Sequence, residues 1–146
     1  MKGLTKVTRL QLKVDQDDEY VLIGIVSAEP DYKLSLSLNK ILKLSLKSQS
    51  PLKVKGEKGH ELTFSRFSDL SGSPDIMFNL ITNRSGNNFL LKKLKNVDFL
   101  LGIRDPDISG LTEDISSKLR EIDTITAVFT IDINTIKDKN LQYVIQ

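Results

Sequence analysis

Near the start of the chain Leu10, Leu12 and Val14 alternate with Arg9, Gln11 and Lys13. This period-2 pattern, with one face apolar, predicts a strand over residues 5–14. Asp15 to Glu19 then place four acids ahead of Val21, Leu22, Ile25 and Val26. Carboxylates at the positive end of an i, i+1, i+4, i+5 pattern predict a short helix, although Ile23-Gly24-Ile25 would also suit a strand. Glu29-Pro30-Asp31 closes that element and opens the next, since Pro suits a first helical turn.

The stretch Leu34 to Leu46 carries two periods at once. Leu34, Leu36, Leu38, Leu42, Leu44 and Leu46 alternate, whereas Leu34, Leu38, Ile41 and Leu42 form a helical stripe. The run has no internal Gly or Pro, and Lys33, Lys40, Lys43 and Lys47 fall on roughly one face of a helix, so the expectation is helical. Ser, Gln, Pro, Gly and Lys dominate Ser48 to Gly59, which reads as a loop.

Strand patterns resume with Leu62, Phe64 and Phe67, and again with Ile76, Phe78 and Leu80, before Asn83-Arg84-Ser85-Gly86-Asn87 turns the chain. Phe89 to Leu94 reads as a short extended piece. Val97 to Ile103 is almost continuously apolar, as in a central strand buried on both faces. Leu111, Ile115, Leu119 and Ile122 recur at helical spacing behind Thr112-Glu113-Asp114. A strand follows over Ile125 to Ile133, with Ala127, Phe129, Ile131 and Ile133 on one face, and then a loosely held tail. The predicted fold is α+β: a mostly antiparallel sheet of about five strands, with two to three helices packed on one face.

Length and composition set the scale. At 146 residues, with 39% hydrophobic and 27% charged positions, the chain suits a single domain spanning 1–146. The complete absence of Cys removes disulfides, thiolate metal sites and Cys nucleophiles, and points to the cytoplasm. The single His, His60, follows Lys55-Gly56-Glu57-Lys58-Gly59 and is expected to be exposed at a strand start, where it suits neither a multi-His metal site nor a catalytic triad. Met1 to Lys6 is charged where a signal peptide would be apolar, so the chain is expected to begin as the mature protein. The apolar run Tyr20 to Ala28 is too short to span a bilayer. Gly24, Gly72, Gly86 and Gly102 are isolated, without a phosphate-binding pattern. No cofactor and no metal are expected.

Leu91-Lys92-Lys93-Leu94-Lys95-Asn96-Val97-Asp98-Phe99 is similar to the signature of the IPExxxVDY family, small proteins largely of Bacteroidetes. Leu91 stands for the Ile of that signature and Val97-Asp98 for its Val-Asp. Further similarity runs through Leu22-Ile23-Gly24-Ile25, Asp31-Tyr32-Lys33-Leu34 with Leu38-Asn39, and Leu80-Ile81-Thr82-Asn83. Lys92, Lys93 and Phe99 replace the Pro, Glu and Tyr of the signature. Chemistry depending on that Glu or on a Tyr hydroxyl would therefore be missing here. The resemblance implies no activity, and the surviving Val97, Asp98 and Phe99 suit the packing of a loop-to-strand junction.

Charge has more texture than its net value of +2. Lys33 to Lys58 holds seven Lys against the one acid Glu57, and Lys92, Lys93 and Lys95 form a second cluster, while 15–19 and 105–123 are acid-rich. Segregated charge favours acidic partners. The leading expectation is a non-catalytic interaction module docking on an acidic partner protein, through Lys33, Lys40, Lys43 and Lys47 on one helix face together with Lys92 and Lys93. One alternative is a small enzyme using the carboxylates of Asp69, Asp75, Asp105 or Asp107 in a pocket. The other, a weak RNA binder, is disfavoured because Arg is sparse and aromatic residues do not interleave with the Lys. Asp98 is expected to be structural, holding backbone N–H groups or a nearby Lys away from any open cleft.

Overall fold

The computed structural model describes residues 20–56, 59–71, 76–105 and 110–144. The strand expected over residues 5–14, the acids at 15–19 and the side chains of Asp75 and Asp107 lie outside these. The first described element is a strand, β1 (Tyr20–Ser27), where a short helix was expected. Ile23 and Ile25 bury against one core and Leu22 against another, so β1 is apolar on both faces. A two-faced strand shows no alternation, and its clustered apolar positions imitate a helical stripe.

Helix α1 (Asp31–Leu42) follows. It buries Leu34 and Leu38, with the Leu34 N–H donating to Pro30 O at 3.0 Å. Lys43 adopts the left-handed conformation at φ 56°, and this stops the helix before Leu44 and Leu46. Asn39 fixes the exit: its Oδ1 accepts the Leu46 N–H at 2.7 Å and its Nδ2 donates to Leu46 O at 3.2 Å.

The chain then enters β2 (Lys47–Lys55), in the segment expected to be a loop. Only Leu52 and Val54 of β2 are buried, and the register slips between Gln49 and Leu52 around Pro51. Pro can stand there because β2 is an edge strand and needs no second ladder. Gly56 N–H donates to His60 O and closes the hairpin into β3 (Glu61–Asp69); His60 is exposed, as expected. Strand β4 (Met77–Thr82) precedes a two-residue hairpin of β5 (Arg84–Ser85) and β6 (Asn88–Phe89), turned by Gly86 at φ 59°. Next come β7 (Phe99–Arg104), α2 (Thr112–Arg120) and β8 (Ile125–Ile131).

Six strands form one sheet in the order β2-β3-β4-β7-β1-β8, every pairing antiparallel. Ile23, Leu101, Leu80 and Phe67 make a continuous cross-strand row on one face. Leu34 and Leu38 of α1 and Ile115 and Leu119 of α2 cover that face. The fold is therefore α+β, with its helices on one side of an antiparallel sheet. Leu100 and Leu101 are fully buried in opposite cores, which fits the central strand expected at Val97 to Ile103.

The opposite face packs on the segment after β6 and on the C-terminal residues. The expected loose tail is instead two 3-10 turns, Ile133–Thr135 and Lys139–Tyr143, capped by the side chains of Asp132 and Asp138. Val144 behind them is fully buried. Gly102 makes this possible, because a Cβ there would collide with Val144 O.

Candidate functional site

A cleft of about 610 Å3 opens on the side of the sheet away from the helices. Val54 of β2, Leu62 and Phe64 of β3, Phe89 of β6, Leu91 and Ile136 give it an apolar floor. Lys55, Lys92, Lys93, Lys137 and Lys139 line its rim, with Asp138 the one acid among the described lining residues. That carboxylate already accepts the Lys92 N–H at 3.2 Å and the Asn140 N–H at 3.0 Å. Glu61 stands opposite Lys55 in the β2–β3 register but does not line the cleft.

One wall of the cleft is held by Asn83, a residue that the sequence marks only as turn-forming. Asn83 is fully buried. Its Nδ2 donates to Leu94 O at 2.9 Å and to Val97 O at 3.0 Å, while Oδ1 accepts the Leu91 N–H at 2.9 Å. Its backbone O accepts the Leu90 N–H at 2.8 Å, and its N–H donates to Asp98 O at 2.9 Å. A single amide thus ties down the loop between β6 and β7. The two NH2 protons and the carbonyl of Asn match this mixed set of acceptors and donor, whereas Asp has no donor when ionised.

Asp98 secures the junction from the other side. The β1–β8 register shifts between Val26 and Ser27, and Asp98 Oδ2 accepts the Ser27 N–H at 2.9 Å beside that irregularity. Oδ1 pairs with Arg84 Nη2 at 3.0 Å, so the cation is an Arg where a Lys was expected. Arg84 in turn lies 5.0 Å from the centroid of Phe89, within cation–π range, and Phe89 lines the cleft. Asp98 also borders a shallow depression of about 540 Å3 with Glu29, Thr82 and Arg84, where a position away from any cleft was expected. Val97 and Phe99 pack into opposite cores.

The Lys residues expected on one helix face divide among three settings. Lys33 and Lys40 are exposed on α1, Lys43 is its left-handed terminus, and Lys47 begins β2. Lys92 and Lys93 lie at the cleft, across the sheet from α1. The left-handed Lys43 ends the helix, and this takes Lys47 out of the expected stripe. On α1 itself Tyr32 is 55% exposed and Leu36 63% exposed. At 3.6 residues per turn, Tyr32, Leu36, Lys40 and Lys33 share about 100° of arc on the outer side of the helix.

The acids are spread as well. Asp69, expected in a loop, ends β3 and is buried. Burial alone would raise its pKa, but Ser71 Oγ, the Ser45 and Ser71 N–H groups and the Lys47 charge outweigh that and hold the carboxyl below its ordinary value. The contacts are 2.5 Å from Ser71 Oγ, 2.9 Å from Ser71 N and 2.8 Å from Ser45 N. Such a carboxylate caps turns and has little capacity left for proton transfer. Asp105 is also buried, just after β7. Among the described residues no cluster of His, Cys, Asp and Glu could hold a metal ion, and no helix is long and apolar enough to cross a membrane.

Compared with known protein families and with curated proteins, the chain matches none.

Proposed function

We propose that the protein is a non-catalytic interaction module that docks on an acidic partner protein through the outer face of α1. The observation that carries this reading is the exposure of Tyr32 and Leu36 one turn apart, beside Lys33 and Lys40. Two large apolar side chains at i and i+4 supply a small desolvated anchor of the kind that helix-in-groove recognition uses. The flanking cations steer an acidic surface towards it and set the orientation. Lys43 stands at the end of the same helix and extends the cationic rim. Lys47, close enough to Asp69 to lower its pKa, has a local structural role instead.

Membership of the IPExxxVDY family and a cytoplasmic location belong to the same proposal. They rest on the residues quoted above and on the absence of Cys.

Charge reversal tests it. Lys33→Glu with Lys40→Glu should leave the thermal unfolding temperature within about 2 °C, because solvated surface charges contribute little to stability. The same variant should lose the acidic protein that wild type captures from source lysate. Capture by wild type should weaken between 50 and 300 mM salt, as screening shortens the reach of rim charges. Equal capture of the same proteins by wild type and variant would overturn the proposal.

A further inference from the structure

The cleft on the opposite face of the sheet carries a separate inference, independent of the α1 surface. Its volume, about 610 Å3, lies within the range of small-molecule sites, roughly 300–1,000 Å3. Its floor is hydrocarbon and aromatic: Phe64 and Leu91 are buried there, while Leu62, Phe89 and Ile136 are half-buried and present apolar surface to the opening. Apart from the lysines, the polar side chains that line the cleft, Asp138 and Asn140, are already committed to backbone groups. Asp138 accepts the Lys92 and Asn140 N–H groups, and Asn140 Nδ2 donates to Leu90 O at 3.0 Å. A ligand whose buried part carried hydrogen-bonding groups, such as a nucleobase or a sugar, would lose its water there without a matching partner. A hydrocarbon chain loses nothing of the kind.

The rim asks for the opposite chemistry. Lys55, Lys93, Lys137 and Lys139 are exposed around the opening, and each can turn an ammonium towards an anion at the mouth. Their long stems can cover apolar ligand surface while the charged heads stay wet. We infer that the cleft binds a free long-chain alkyl carboxylate, with the chain on the floor of Leu62, Phe64, Phe89 and Ile136 and the carboxylate among the rim lysines. Asn83 and the Asp98–Arg84–Phe89 relay act as positioning groups that hold one wall of this site.

The test is a titration of the full chain with 13C-carboxyl-labelled dodecanoate below its aggregation concentration, read by the carboxyl resonance. One saturable site is expected. Lengthening the probe from decanoate to dodecanoate should tighten binding by up to about fourfold per methylene, the affinity equivalent of burying a CH2. Dodecanol and dodecyltrimethylammonium should each bind at least tenfold more weakly than dodecanoate. Lys93→Glu with Lys137→Glu alters two exposed residues, so the fold is kept and affinity should drop at least tenfold. Leu62→Gln should weaken the dependence on chain length. Equal binding of the alkyl cation, or no saturable dodecanoate binding at all, would overturn the inference. It would equally be overturned if an acidic peptide or anionic vesicles bound in a Lys93- and Lys137-dependent way while dodecanoate did not.

Discussion

Replacing Asn83 with Ala removes a side chain that serves three backbone groups at once, and the cost can be worked from what each group is left with. The Leu91 N–H loses its acceptor at 2.9 Å and Val97 O loses a donor at 3.0 Å, both in buried surroundings. Leu94 O loses a donor at 2.9 Å but still accepts the Val97 N–H at 3.1 Å, so its loss is smaller. An unsatisfied buried polar group costs about 1–3 kcal/mol, and the sum after partial relaxation should be about 3–5 kcal/mol. Against a total stability of about 5–15 kcal/mol this is a large fraction. It corresponds to a fall in Tm of roughly 6–20 °C for a chain of this size. Urea melts followed by circular dichroism, with calorimetry for Tm, would measure it. Asn87→Ala is the internal control: this Asn of the same turn is exposed and should shift stability by less than about 0.5 kcal/mol. Asn83→Asp should be at least as harmful as Asn83→Ala, because it turns an oxygen on the Leu94 and Val97 carbonyls. A loss below about 1 kcal/mol for Asn83→Ala, or a wild-type melt for Asn83→Asp, would refute the assignment of Asn83 as the clamp of the loop.

Three further outcomes follow from the packing. Leu100→Ala in the central strand should cost about 2–5 kcal/mol through lost burial and a cavity, and a denaturant melt showing under about 1 kcal/mol would contradict its place in the core. Gly102→Ala should push Val144 and the C-terminal turns away from β7, costing about 1–3 kcal/mol and accelerating amide exchange over residues 139–144; unchanged exchange would show that the tail is not seated there. Asp69→Asn should destabilise by about 1–3 kcal/mol at pH 7. The folded-state pKa of Asp69 lies below the unfolded value of about 3.9, so its contribution is complete above that pH and is lost as pH falls through the lower folded value. The difference between wild type and Asp69→Asn should therefore shrink below about pH 4, and a difference constant down to pH 2 would exclude this linkage.

The helical stripe of α2 and the unbroken apolar run of β7 were legible in the sequence, the first from its 3.6 period and the second from its lack of polar alternation. What misled was an apolar run whose spacing also fits a helix, and a strand with almost no buried positions. Tyr20 to Ser27 lies between β7 and β8 with apolar residues on both sides, and the acids ahead of it resemble a helix start. Lys47 to Lys55 is an edge strand, solvated enough to read as a loop apart from Leu52 and Val54. The Lys stripe was interrupted for a different reason: the left-handed Lys43 ends the helix, so Lys47 falls in β2 while Lys33 and Lys40 stay on α1. Two of the five rim lysines were legible as the Lys92 and Lys93 cluster, but Lys55, Lys137 and Lys139 come from distant segments. Asn83 was legible as a turn residue but not as a clamp, because that role depends on three backbone groups 8 to 14 residues away.

The central claim is that α1 presents a docking face, and a photo-crosslinking residue in place of Leu36 tests it most directly. That position is 63% exposed, so the probe should not disturb folding. Irradiation in the source cell should give one dominant adduct with an acidic protein, identified by mass spectrometry. The adduct should be lost when Lys33→Glu and Lys40→Glu are added, and absent when the probe replaces Thr130, an exposed residue of β8. An adduct pattern that is the same from positions 36 and 130, or that survives the charge reversal unchanged, would contradict the account.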